Sequence, residues 1–212
     1  VTGKKLYTSA NLTNSRNKPD KLFWLNMSKS MGYLPLFLNV TGVWSLVVGG
    51  GGVGRRRIEK IHSCGGRVRV VDPQPQPSWF QPEWGTWLAE PFHTGHLEGV
   101  QLVFACATPE VNERVCDAAL ARGLWIGNSS QPEAGNLIVP ASGERGLMAV
   151  AVHTHGASPR YAAKTLETIL NSLSDEELTK LEVLKELRTR FKKIADPTRK
   201  AKMLALLDDF AQ

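Results

Sequence analysis

A chain of 212 residues with 42% hydrophobic content is long enough for one α/β domain with a smaller unit appended, and can fill a core of ordinary size. Its formal net charge of +6 does not by itself imply nucleic acid, because Lys and Arg are scattered, aromatics are not interleaved with them and no nucleic-acid module is recognisable. No apolar stretch is long enough to span a bilayer, and the three cysteines, Cys64, Cys106 and Cys116, lack metal-ligand spacing; their odd number argues against a disulfide framework and fits a reducing cytoplasm.

Residues 1–30 are polar and basic, begin without Met and contain no signal-peptide core, so they are expected to be a disordered extension outside the fold. Tyr33-Leu34-Pro35-Leu36-Phe37-Leu38-Asn39-Val40 reads as an extended segment that Thr41-Gly42 turns into a first strand, Ser45 to Val48. That strand runs into glycines spaced G-x-G-x-x-G, at Gly49, Gly51 and Gly54, followed by a helical segment from Arg55 to His62. A dinucleotide pyrophosphate needs this arrangement: a tight turn, a close approach to the backbone, and a helix packed on its strand with free N–H groups facing the anion. The next strand, Val68 to Val71, ends at Asp72, the position of a carboxylate that accepts both ribose hydroxyls. A carboxylate there repels a 2′-phosphate, so the cofactor is read as NAD. Its contacts are expected from Gly49, Gly51, Gly52, Val53 and Gly54, from Asp72 with Pro73 and Gln74 after it, and from Thr108.

Pro73-Gln74-Pro75-Gln76-Pro77 is a stiff non-helical linker. Trp79, Phe80, Trp84 and Trp87 beyond it are expected to cover a sheet edge or a helix face, with stacking on a flat ligand as the alternative. Leu102 to Ala107 reads as a buried strand ending at Thr108-Pro109, with an amphipathic helix after it carrying Val111, Val115, Ala118 and Ala119. In a doubly wound sheet the carboxyl end of this strand faces the nicotinamide half of the cofactor. Gly123 to Ile126 is expected as a short strand that delivers Asn128, Ser129 and Ser130 to the same rim. Leu137 to Ala141 and Leu147 to Val152 read as two strands joined by a turn over Ser142 to Gly146. After the polar loop His153 to Pro159, with Ser158 as N-cap, the pattern is helical to the end. Leu166, Ile169 and Leu173 form one stripe, and Leu178, Leu181, Leu184 and Leu187 another, with a break at Asp196-Pro197 before a last short helix. The tail cannot bury both stripes alone.

The chain resembles the precorrin-2 dehydrogenase and sirohydrochlorin ferrochelatase family, the siroheme synthase N-terminal type. The resemblance rests on Tyr33-Leu34-Pro35-Leu36-Phe37, the glycine loop with its arginines, Ala107-Thr108-x-x-Val111-Asn112, Pro140, Gly156-Ala157-Ser158-Pro159 and the helical tail. It implies a Rossmann NAD-binding domain over 31–134, a dimerisation hairpin and helix over 135–173, and a helical C-terminal domain over 174–212, assembled as a homodimer. It also implies NAD-dependent oxidation of precorrin-2 to sirohydrochlorin, with insertion of ferrous iron in bifunctional members. A tetrapyrrole rimmed with carboxylates suits the positive balance of the chain. For Arg55 to Arg57 a solvated helix face and contact with the substrate stay equally open.

One position departs from the family pattern. Where the family carries an aspartate, the candidate general base, counting back from Pro140 gives Ser130, and a serine hydroxyl is a poor base. The expected catalytic residues are therefore Ser130 itself, Thr154 at the position where the family presents a hydroxyl, and His153 and His155, which have a suitable pKa. Two histidines spaced i and i+2 on a strand end point the same way, into the pocket or into solvent. They lack a third ligand in sequence, so no permanent metal site is expected. Iron chelation is the activity most in doubt without the aspartate. The rival reading is a non-catalytic tetrapyrrole- or NAD-binding homologue.

Overall fold

A computed structural model describes residues 32–211, so the extension 1–30 falls outside the described residues. Gly32 to Val40 belongs to a first unit, is extended, and exposes Leu34, Leu36, Phe37 and Leu38. The second unit begins at Thr41 and holds every helix and strand that follows.

Five parallel strands form the main sheet: β1 (Trp44–Val48), β2 (Arg67–Val71), β3 (Gly85–Leu88), β4 (Leu102–Ala105) and β5 (Trp125–Asn128). Their order is β3-β2-β1-β4-β5, so the chain reverses direction across the sheet between β1 and β4. Helices on both faces bury β4 and all of β1 but Trp44, which is why the two strands read as continuous apolar runs rather than alternating ones. Val48 pairs with both Val71 and Ala105, and this register brings Gly49, Asp72 and Cys106 to one rim. Helix α1 (Gly52–Ser63) buries Gly54, Ile58 and Ile61, while α2 (Pro109–Leu120) buries Asn112, Val115, Cys116 and Ala119. Both sets have helical spacing, one stripe per helix turned to the sheet.

Two short strands make an antiparallel hairpin, β6 (Ala141–Arg145) and β7 (Met148–Val152), and α3 (Pro159–Ser172) packs on it. Helices α4 (Asp175–Lys192) and α5 (Pro197–Ala211) then pack on each other, with Arg188 Nη1 3.0 Å from Asp208 Oδ1. Among the described residues no helix is long and apolar enough to cross a membrane.

Several boundaries differ from the sequence reading. Strand β3 is an addition: Gly85-Thr86-Trp87-Leu88 has no β-branched run, but it pairs with β2 as an edge strand, and a Cβ at Gly85 would lie 1.8 Å from the Val68 carbonyl oxygen. Strand β5 starts two residues later than expected, because Gly123, at φ +68°, is spent on leaving α2. The hairpin is also displaced. Its first strand, Ala141 to Arg145, takes in all but the last residue of the segment read as a turn, Ser142 to Gly146, and the chain reverses at Gly146-Leu147. The apolar run before it bonds elsewhere, with Leu137 N donating to Ile126 O at 3.0 Å. Small residues explain the strand: a Cβ on Gly143 would meet Leu170 at 2.8 Å, so glycine is what lets α3 sit close. The helical tail breaks once more than expected, at Leu173-Ser174. There Ser174 and Glu177 form a capping box that starts α4. The last helix, expected to be short, has 15 residues.

Candidate functional site

Two of the three motif glycines, Gly49 and Gly54, are required by the protein around them. Gly49 turns at φ +98°, and a Cβ there would lie 2.6 Å from the Cys106 carbonyl oxygen. A Cβ on Gly54 would lie 1.9 Å from the Gly49 carbonyl oxygen, so this glycine closes α1 onto β1. Gly51 is the exception, since a Cβ on it would meet nothing within 4 Å. Its lack of a side chain is not demanded by the protein, and the open space beside it is the space a pyrophosphate needs. Gly51 is also the N-cap of α1, and no side chain caps that end. The first-turn N–H groups are therefore left for an anion. Gly52 is open apart from the Arg56 guanidinium at 3.9 Å, and Val53 is exposed on the same turn.

Asp72 leaves β2 at this rim. Its Oδ2 accepts from Gly50 N at 2.6 Å and its Oδ1 from Gln74 N at 2.8 Å, so the carboxylate holds the glycine loop and the turn after Pro73 together. Each oxygen keeps a second lone pair for a ribose hydroxyl. Trp87 closes the same corner: its indole N–H donates to Gln74 O at 3.0 Å, and a Cβ on Gly50 would lie 2.2 Å from its ring. The aromatics behind it form one cluster, with Phe80 buried, His62 of α1 stacked on Trp84 at 5.0 Å and Arg55 4.9 Å above Trp79. They cover the face of α1 and the β3 edge.

On the other side of the rim, Thr108 is exposed at the N-cap of α2. Asn112, one turn on, is fully buried and joins the ends of β4 and β5. Its Oδ1 accepts from Ala107 N at 2.8 Å, and its Nδ2 donates to Ala107 O, Ser129 Oγ and Ser130 Oγ at 3.2, 3.4 and 2.5 Å. Ser130 Oγ in turn donates to Asn128 Oδ1 at 3.2 Å, an oxygen that also accepts from the N–H groups of Ser130 and Gln131. The Ser130 hydroxyl thus has its proton and one lone pair engaged. The sequence reading missed Asn112 as a participant, although it sits in the quoted Ala-Thr-x-x-Val-Asn run.

Of the three arginines on α1, Arg55 pairs with Glu59 at 2.8 Å and Arg56 is exposed. Arg57 differs. Its guanidinium lies 5.3 Å over the Phe104 ring, its Nε is buried without a hydrogen-bond partner, and burial lowers its pKa. Cys106 sits on the same face, and burial pushes its thiol up.

The loop after β7 forms a separate cluster. Thr154 Oγ1 donates to Ser158 O at 3.1 Å and accepts from Ser158 N at 3.2 Å, and Ser158 Oγ caps α3 by accepting from Tyr161 N. His153 and His155 are exposed, with ring centroids 4.7 Å apart, and His155 takes φ +50°. Partial burial, and secondly the charge of His155, hold the His153 pKa below its ordinary value.

Residues 36–141, half of the chain, match the model of a family described as putative NAD(P)-binding. Siroheme synthase 2 of Aeromonas hydrophila is 34% identical over 145 residues, which is 66% of this chain and 31% of that protein. Siroheme synthase of Nitrosococcus oceani is 32% identical over 147 residues, with the same shares. The chain thus spans about a third of the length of these relatives. A solved structure described as SirC, precorrin-2 dehydrogenase, superposes with a TM-score of 0.68 over 85% of this chain and 90% of that one, at 23% identity.

Proposed function

Because the chain belongs to the putative NAD(P)-binding family, we propose that it oxidises precorrin-2 to sirohydrochlorin with NAD as hydride acceptor, a reading supported by its likeness to siroheme synthases and to SirC, precorrin-2 dehydrogenase. The observation that carries the reading is the glycine loop: Gly49 and Gly54 are forced by the protein, whereas Gly51 faces open space at an uncapped helix start. That is a cradle shaped for phosphates. Gly51, Gly52 and Val53 would hold the pyrophosphate, Asp72 the adenosine ribose, and Pro73 and Gln74 the edge beside it. Thr108 would lie toward the nicotinamide.

Bound NAD supplies a two-electron acceptor, and the chain's residues supply position and proton removal. Asn112 fixes the ends of β4 and β5 relative to each other, and Ser130 is pinned between Asn112 and Asn128. A hydroxyl so engaged serves as a positioning group rather than a base. Proton removal falls to His153 or His155, since an imidazole in its neutral form accepts a proton. Thr154 orders their loop through Ser158. Arg57, buried without a partner at Nε, is suited to an anionic substrate edge. The working form in this reading is a cytoplasmic homodimer built on the hairpin and α3, and ferrous iron would be a second substrate only if a base replaces the family aspartate.

The second reading, a homologue that binds NAD or tetrapyrrole without turnover, is favoured by the engaged Ser130 hydroxyl. An anaerobic assay with precorrin-2 and NAD separates the two. NADH formation with the appearance of sirohydrochlorin is expected, and NAD binding without NADH would establish the second reading. If NAD does not bind, both the dehydrogenase and the NAD-binding form fail.

A further inference from the structure

The connection between β3 and β4 carries a cluster that the NAD site does not use. Glu90, His93 and His96, spaced E-x-x-H-x-x-H, bring one carboxylate oxygen and two ring nitrogens within 4.8 Å of one another. Glu90 Oε1 lies 2.7 Å from His96 Nε2 and 3.5 Å from His93 Nε2. The placement is firm. Phe92 and Leu97, on either side of the histidines, are buried in the core, and Arg69 of β2 donates to the carbonyls of His96 and Glu98 at 2.8 Å each. The 3₁₀ turn Thr94–Leu97 sets the two imidazoles on one side, with centroids 3.7 Å apart.

We propose that Glu90, His93 and His96 form a binding site for a divalent first-row transition ion of the zinc class, ligated by Glu90 Oε1 and the two Nε2 atoms, with water completing the shell. Two imidazoles and one carboxylate are a donor set that such ions accept. A tetrahedral ion with bonds of about 2.0–2.1 Å keeps its donors roughly 3.3 Å apart. The Glu90–His93 separation is near that already, and the Glu90–His96 pair needs to open slightly. The Glu90 and His93 side chains are 50% and 64% exposed while His96 is 4%, so the site has a fixed inner wall and an open side for entry and water.

Without the ion the two histidines make a reciprocal cap through their other ring nitrogens. His96 Nδ1 accepts from His93 N at 3.1 Å, and the His93 side chain accepts from the His96 N–H. Both Nε2 atoms then carry the hydrogen and turn it toward Glu90. A cap of this kind needs one acceptor atom from each side chain, which Ser or Asn supplies; it does not need two imidazoles converging on a carboxylate. Ligation through Nε2 moves each ring hydrogen to Nδ1. The His93 N–H···Nδ1 bond is then lost, so metal binding carries its own signature in the His93 amide.

The test is a titration of the full chain with Zn2+, and with Co2+ for its visible absorption, alongside the exposed-residue variants Glu90→Gln and His93→Asn. NAD affinity serves as the check that each variant is folded. Buried His96 is left intact. One equivalent per chain is expected, with a shifted His93 amide resonance and affinity at least about tenfold weaker in either variant, since even the outer partners of metal ligands carry factors of 10–100. Failure of the wild-type chain to bind either ion, or equal affinity in the variants, overturns the site. Neither result bears on the dehydrogenase reading.

Discussion

Gly51 and Gly54 stand three residues apart in one loop, yet an alanine should do opposite things at the two positions. At Gly54 the added carbon would lie 1.9 Å from the Gly49 carbonyl oxygen, a backbone contact that only movement of α1 can relieve. Gly54→Ala is expected to lower Tm strongly and abolish NAD binding with it. At Gly51 the φ of −65° suits any residue and the methyl meets no protein atom, so Tm should hold or rise slightly. NAD affinity should nevertheless fall about tenfold or more, or some 1.4 kcal/mol, because the methyl enters the space assigned to phosphate. Thermal unfolding with an NAD titration measures both, and undiminished NAD affinity in Gly51→Ala would sink the assignment of the loop. The histidines give the pH dependence. A base works in its neutral form, and His153 is held below the ordinary imidazole value of 6.5 by partial burial and then by His155. The acid limb of kcat/KM should therefore fall below that value, with activity lost as pH drops through it. His153→Ala with His155→Ala should cut turnover by at least about 10²-fold at unchanged NAD affinity, and a double variant with wild-type turnover and an unmoved limb removes both histidines from the chemistry. The glycine spacing and Asp72 were legible as sequence because their chemistry requires those residues in that order. The engagement of Ser130 by Asn112 and Asn128 was not, since it depends on how β4 and β5 align.

Among the elements, those with a continuous apolar run or a strong cap were legible: β1, β2, β4, α2 and α3 fall where their patterns put them. The hairpin was misread because its first strand turns Ala141, Gly143 and Arg145 toward α3, and small or charged residues do not look like a buried face. Strand β3 was missed for a related reason, as an edge strand whose one tryptophan, Trp87, packs on the glycine loop. The corrected register has a consequence for assembly. Ser142, Glu144, Ala149 and Ala151 form the outer face of the ribbon and are exposed. Its residues are small apart from Glu144, which allows close backbone approach, and the homodimer proposed above would use this face. Ala151→Arg should then leave Tm nearly unchanged while moving the sedimenting mass from dimer to monomer. A wild-type monomer at micromolar concentration would remove the dimer, and a dimeric variant would place the interface elsewhere.

At the scale of the molecule, the leucines of α4 remain only half-buried in the single chain, as the sequence suggested for a tail with two apolar stripes. The sheet order has a further effect, on how the chain comes together. Strand β1 is first in sequence and central in space, with β2 on one side and β4 on the other. As the protein is synthesised, β1 and β2 can pair at once across α1, but the second edge of β1 has to wait for β4 to be made. During that interval Leu46, Val47 and Val48 present an open, wholly apolar strand edge, the type of surface that recruits foreign strands. The order that gathers the glycine loop, Asp72 and Thr108 on one rim therefore also sets a window of aggregation risk in the nascent chain, which closes when β4 docks.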